Sequence, residues 1–171
     1  MSVANATNSI AIGYQAIAAS NQVKIGNNAI TYAGIQVPWT TTSDRRWKEN
    51  IQPSNLGLNF IKSLKPVYYT RKNDESKKTE YGFIAQELEV SLDQFGAKNN
   101  GIMSKDENDF YGVRYNDLIA PMVKAIQEQE VTISQQQSEI ELLKTQLKQQ
   151  QELLNQLAKE VQNIKKKKED V

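Results

Sequence analysis

From Ile126 onward the chain places an aliphatic side chain at every seventh position: Ile126, Ile133, Ile140, Leu147, Leu154 and Val161. Three residues after each of these stand Gln129, Gln136, Leu143, Gln150, Leu157 and Ile164. Alternating three- and four-residue spacing keeps one stripe of a helix against a partner, which is the a and d pattern of a coiled coil. A solvated single helix has no reason to hold that register, so the stripe demands other chains. Glu139 with Lys144, and Glu160 with Lys165, fall at g and the following e, where charges pair across a seam. Glutamine at three d positions disfavours a dimer core of the Ile-then-Leu type, and the expected assembly is a parallel homotrimer with polar d layers. Its interface is predicted to comprise Ile126, Ile133, Ile140, Leu143, Leu147, Leu154, Leu157 and Val161. Pro121 is tolerable only in a first turn, so the helix is predicted to start near Asn116 to Leu118, with Asn116 or Asp117 as cap.

A second periodicity lies at the other end. "NSIAIGYQA" (8–16) aligns with "NQVKIGNNA" (21–29): Ile10 matches Val23, Ile12 matches Ile25, Gly13 matches Gly26 and Ala16 matches Ala29. The period is thirteen residues. Each copy reads as a short strand with alternating apolar positions, closed by a glycine turn, which is how a stack with one strand per coil is written. An ordinary hairpin pair is the alternative. The pattern is similar to the head repeats of trimeric autotransporter adhesins and to the β-stalks of phage tail fibres. The repeat stands at the start of the sequence, so residues 1–42 are expected to be the end of a longer stalk.

Between the two lies the only segment that reads as compact, residues 43 to about 118. "LGLNFIKSLKPVYYT" predicts a helix ending before Pro66 and then an aromatic strand over Val67 to Thr70. "YGFIAQELEVSL" predicts a strand turning into a helix, and "GIMSKDENDFYGVRYNDLIA" a hairpin leading into the long helix. In "YGFIAQE", Gly82, Gln86 and Glu87 read as a strand-to-helix turn with polar caps, and Tyr111 and Tyr115 as packing. So short a segment with so few apolar residues makes a marginal core, and a partner surface is expected. The fold class is α+β: a β-repeat stalk end (1–42), a small mixed core (43–118) and a C-terminal coiled-coil helix (119–171).

The chain has 171 residues and neither cysteine nor histidine. Disulfides, thiolate or imidazole metal sites and a Ser-His-Asp triad are thereby excluded, and no cofactor or metal is expected. Basic and acidic residues nearly balance, 21 against 20, and the one basic block, Lys165 to Lys168, sits at the end of the coiled-coil pattern. Neither a nucleic acid nor a membrane is an expected partner.

"TTTSDRRWKENI" (40–51) supports two readings. In one, Thr42, Ser43 or Asp44 caps a short helix that carries Trp47 and Ile51 inward and stops before Pro53. In the other, Ser43 is a nucleophile and Lys48 its base, a role a neutral lysine amine can fill where histidine is absent. Arg45 and Arg46 place like charge near Lys48, and Trp47 can exclude water, both of which disfavour the ammonium form. Residues i and i+5 share no face of a helix or a strand. Ser43 must therefore lie on an extended or turned segment ahead of Lys48, or the two must meet across subunits.

"SDRRWKENI", "LGLNFIKSLKPVYYT", "YGFIAQELE" and "VRYNDLIAPMVKAIQEQ", in that order, resemble the C-terminal intramolecular chaperone domain of phage endosialidases and tail fibres, peptidase family S74. The resemblance implies a trimeric chaperone that assists an upstream β-stalk of the same polypeptide. It further implies that the domain cuts itself off before the serine of an S-D-x-R-x-K motif, leaving a phage tail fibre or virion precursor made in the host cytoplasm. Carried over by position, the serine is Ser43, the lysine Lys48, and the scissile bond joins Thr42 to Ser43. Arg45, Arg46 or backbone amides are candidate oxyanion donors. Trp47 stands where the family usually has leucine, which bears on how closely Lys48 approaches Ser43. The alternative is a structural trimerisation tip, of a fibre or adhesin, that stays attached.

Overall fold

The computed structural model describes residues 5–106 and 108–169. Contacts divide the chain into two units that cut across sequence order: one runs to Gln52 and takes in Lys65–Ile84, the other comprises Pro53–Leu64 and the chain from Ala85 onward.

In the first unit the thirteen-residue repeat becomes a register. Strand β1 (Ile10–Ile12) pairs in parallel with β2 (Val23–Ile25), matching Ile10 to Val23, Ala11 to Lys24 and Ile12 to Ile25. A hairpin would run antiparallel, so this pairing removes that alternative. Side chains repeat the same offset. Asn8 Nδ2 donates to Asn21 Oδ1 at 2.9 Å, the Thr7 backbone N–H donates to Ser20 Oγ at 3.1 Å, and Asn27 Nδ2 donates to the Tyr14 carbonyl at 3.0 Å. The turns repeat as well: Gly13 and Gly26 both have positive φ, as do Asn8 and Asn21, the residue types that enter this region most readily. Ile10, Ile12, Val23 and Ile25 share one face, and all are more than half exposed. Among the described residues, the buried apolar side chains of this unit are only Ala16 and Ala18.

The same unit holds a hairpin of β3 (Pro66–Thr70) and β4 (Thr79–Phe83), with Tyr68 opposite Tyr81. Their rings sit 6.4 Å apart and both face solvent. Arg71 closes the hairpin end on Glu80 at 2.8 Å. In the loop between the strands, Asn73 donates its side-chain amide to the Asn28 carbonyl.

The second unit contains the large buried side chains. Helix α1 (Leu58–Ser63) ends before Pro66 as expected, α2 spans Ala85–Gln94, and β5 (Met103–Lys105) pairs antiparallel with β6 (Tyr111–Val113). Phe60, Leu88 and Leu92 are buried together with Leu56, Ile102, Leu118 and Ala125. Phe60 meets Phe95 edge to face with centroids 5.8 Å apart. A 3-10 turn over Tyr115–Leu118 leads into α3 (Ile119–Glu169), 51 residues long, with Pro121 in its first turn. At 1.5 Å per residue α3 extends about 75 Å, far past anything α1 and α2 can cover. Tyr111 is more than packing: its hydroxyl donates to Glu89 Oε2 at 2.8 Å.

Helix α1 begins without a cap of its own, since Gly57 supplies no side chain. The Leu58 N–H is instead satisfied by Glu128 Oε2 of α3 at 2.7 Å. A side chain at position 57 would meet that carboxylate and would have to push Glu128 away from its place on the helix end.

Candidate functional site

Ser43 and Lys48 flank a single turn. Asp44 is extended (φ −63°, ψ 138°), Arg45–Trp47 form one 3-10 turn, and Lys48 is extended again (φ −119°, ψ 139°). The turn is closed by Trp47 N–H to the Asp44 carbonyl at 3.1 Å and Lys48 N–H to the Arg45 carbonyl at 3.0 Å. An aspartate at the N-cap is what starts such a turn, because its carboxylate accepts backbone N–H groups left without partners. Asp44 Oδ1 does so from Arg46 N–H at 2.8 Å. Of the capping reading, the cap holds, with Asp44 in that place, but the helix it starts is a single turn.

The same turn brings the i and i+5 side chains together. Lys48 Nζ donates to Ser43 Oγ at 2.8 Å, within one chain. The two readings of the segment are therefore compatible: the cap builds the turn, and the turn sets the pair. As an ammonium, Lys48 donates to the serine oxygen; once neutral, the same contact reverses and its nitrogen accepts the serine proton. Nucleophile and base at hydrogen-bond distance is the geometry nucleophilic catalysis requires.

Arg46 lies on Asp44. Its Nε donates to Oδ1 at 3.0 Å and its Nη2 to Oδ2 at 2.8 Å. Those side-chain bonds first, and the Arg46 backbone N–H second, hold the Asp44 carboxyl below the usual aspartate range, and the same fork raises Arg46. Arg45 pairs with no carboxylate among the described residues. Its guanidinium is therefore the uncommitted one of the two.

Every residue from Thr41 to Asn50 is exposed in the single chain. Trp47, expected to turn inward, is 80% exposed, and Ile51 is also open to solvent. A three-residue turn has no second face against which to bury an indole. Thr42, on the other side of the presumed scissile bond, is equally open.

The residues assigned to an assembly interface all lie on α3. Ile126, Ile133, Ile140, Leu143, Leu147, Leu154, Leu157 and Val161 are each exposed along its length. The stripe also extends further than expected, since Ile119 and Met122 continue the a and d spacing one heptad earlier and are exposed too.

Two features of the chain were not found from the sequence, the Asp44–Arg46 fork and the Glu128 cap on α1. An N-cap aspartate two residues before an arginine is a signal for the first. For the second the sequence holds none, because seventy residues separate the partners.

Residues 43–97 match the Peptidase_S74 family, described as chaperone of endosialidase. The match opens on Ser43 itself and runs through α2, so the resemblance carried by the first three sequence blocks holds over that span. The fourth block, from Val113, lies beyond it. No curated protein matches the chain. Among the described residues no helix is long and apolar enough to cross a membrane.

Proposed function

We propose that this chain is a trimerising intramolecular chaperone that assists the folding of a β-stalk and then releases itself by cutting between Thr42 and Ser43. The observation that carries the reading is the 2.8 Å contact between Lys48 Nζ and Ser43 Oγ, at the first residue of a segment whose family is named as both chaperone and peptidase.

The chemistry is an intramolecular acyl transfer. Neutral Lys48 takes the proton of Ser43 as Oγ attacks the Thr42 carbonyl carbon. The bond from that carbon to the Ser43 nitrogen breaks, and the proton passes to the departing amine. Thr42 is then held as an ester on Ser43 Oγ. Water cleaves the ester, leaving a Thr42 carboxylate and a Ser43 with its hydroxyl restored and its amine free. Charge that develops on the Thr42 carbonyl oxygen needs donors, and the unpaired Arg45 or nearby backbone amides are suited to the task. Arg46 is less suited, since two of its donors already serve Asp44.

Two further observations support assembly before cutting. The stripe on α3 and the aliphatic face of β1 and β2 are both uncovered in the single chain, and a trimer would bury them. The residues around the pair are all open to water in the single chain, and neighbouring subunits that cover them would exclude that water from the reaction. The product is a phage tail fibre or virion precursor freed of its chaperone.

The exposure of Trp47 favours a second reading, in which the trimer forms and stays attached as a structural tip. Intact mass of freshly purified trimer separates the two. Fragments parted before Ser43 mean cutting; a chain that stays whole, and that Trp47→Leu does not activate, means a tip.

A further inference from the structure

For Lys48 to act on Ser43 it must not be held by an anion, and the carboxylate that adjoins Ser43 in the chain is that of Asp44. Asp44 and Lys48 flank the single 3-10 turn, whose closing bonds, Trp47 N–H to the Asp44 carbonyl and Lys48 N–H to the Arg45 carbonyl, draw its two ends together. Lys48 Nζ already reaches Ser43 Oγ, on the residue adjoining Asp44. A lysine paired with that carboxylate would keep its proton and could not take one from serine. The sequence thus sets a competitor beside the nucleophile.

The structure shows what occupies the competitor. Both Asp44 carboxylate oxygens are taken by the Arg46 guanidinium, Oδ1 at 3.0 Å and Oδ2 at 2.8 Å, and Oδ1 accepts the Arg46 backbone N–H as well. A planar fork can hold both oxygens at once, which a compact ammonium cannot. The other charged groups beside the pair in the chain are Arg45, in the turn, and Glu49, just past it. Among the described residues no ion pair reaches Lys48 from any other element.

We propose that Arg46 is a positioning residue of the Ser43–Lys48 pair: by clamping the Asp44 carboxylate it keeps that anion off Lys48 and leaves the lysine to the serine. This rests on the self-cleavage reading for its consequence but not for its geometry. The role differs from oxyanion stabilisation, because Arg46 acts through Asp44 and touches neither Ser43 nor Lys48. Asp44 has two tasks that can be separated, since asparagine keeps the capping oxygen and loses the charge.

The test has two arms. In protein that cuts, Arg46→Gln slows release of the Ser43 fragment about tenfold at neutral pH and displaces the rise of rate with pH to higher pH, as a newly available carboxylate would require. Adding Asp44→Asn to Arg46→Gln returns the rise to its wild-type position. An arginine that merely stiffened the turn would lower the rate at every pH without displacing the rise, and Asp44→Asn would not rescue it; that pattern overturns the proposal. The second arm does not depend on cutting. In crystals of Ser43→Ala with Arg46→Gln, Lys48 Nζ comes within 4 Å of the Asp44 carboxylate, whereas in Ser43→Ala alone it does not. Lys48 standing clear of Asp44 in the double variant overturns the proposal. If Lys48 does swing onto Asp44 there while wild-type protein never yields a fragment, the clamp stands and the self-cleavage reading falls.

Discussion

Glu128, on the long helix, accepts the backbone N–H of Leu58 at 2.7 Å and so caps a helix seventy residues earlier in the chain. It is joined by Lys124, one turn back, at 3.5 Å. The Leu58 N–H is the main cause that holds the Glu128 carboxyl below its ordinary range, with Lys124 adding to it against a desolvation cost. A depressed folded value means stabilisation that is present above the ordinary glutamate range and is lost as pH falls through the folded value. Wild type is therefore expected to melt higher than Glu128→Gln at neutral pH, and the gap is expected to close in acid. Thermal unfolding of both across pH checks this; a gap that widens in acid has the wrong sign.

Phe60 is fully buried, meets the Phe95 ring edge to face, and lies in the unit that holds the large buried side chains among the described residues. Truncation to alanine removes the aromatic contact and leaves a cavity where the ring stood. Phe60→Ala is expected to cost about 3–5 kcal/mol in denaturant unfolding. A loss under 1 kcal/mol would show that this core is not what holds the unit together.

For the proposed chemistry, wild type is expected to release a fragment beginning at Ser43, while Ser43→Ala and Lys48→Ala stay whole and still assemble. Fragment mass and N-terminal sequencing read this directly. Cutting that persists in Lys48→Ala removes lysine as the base. Trp47→Leu, which restores the residue usual in the family, is expected to cut at least as fast as wild type.

Assembly is predicted to be a parallel trimer, read by sedimentation equilibrium as about three chains per particle. Ile133→Asp with Ile140→Asp puts charges in the seam that cannot be solvated, and is expected to abolish both trimer and cutting. A double variant that processes itself at the wild-type rate would show that the pair needs no partner chain.

How much of this was legible in the sequence depended on the range of the interaction. The helix that stops before Pro66 and the strand after it were readable because proline and aromatic alternation act on the local backbone. The thirteen-residue spacing became a parallel register because a repeat that returns to the same place lays like residues side by side. Ser43 and Lys48 were legible as a candidate pair, and a turned segment as one way for them to meet, but the one-turn 3-10 segment between two extended residues that brings them together is shorter than any periodicity can reveal. Trp47 was read inward from its apolarity, yet in one chain there is nothing beneath the turn to receive it. Glu128 finding Leu58 is a property of the folded path alone.

The pairing of the two repeats has the form of one step in a one-dimensional lattice. Coil one lies on coil two through a repeating set of strand pairs, an asparagine contact and glycine corners, all at a displacement of thirteen residues. In such a lattice each added unit contributes the same neighbour energy, while the two ends carry a fixed penalty that does not grow with length. Two units share a single junction between them, the smallest neighbour sum such a lattice can have. Inserting further copies of residues 8–20 should raise stability by equal steps, without changing the corners or the strands already present.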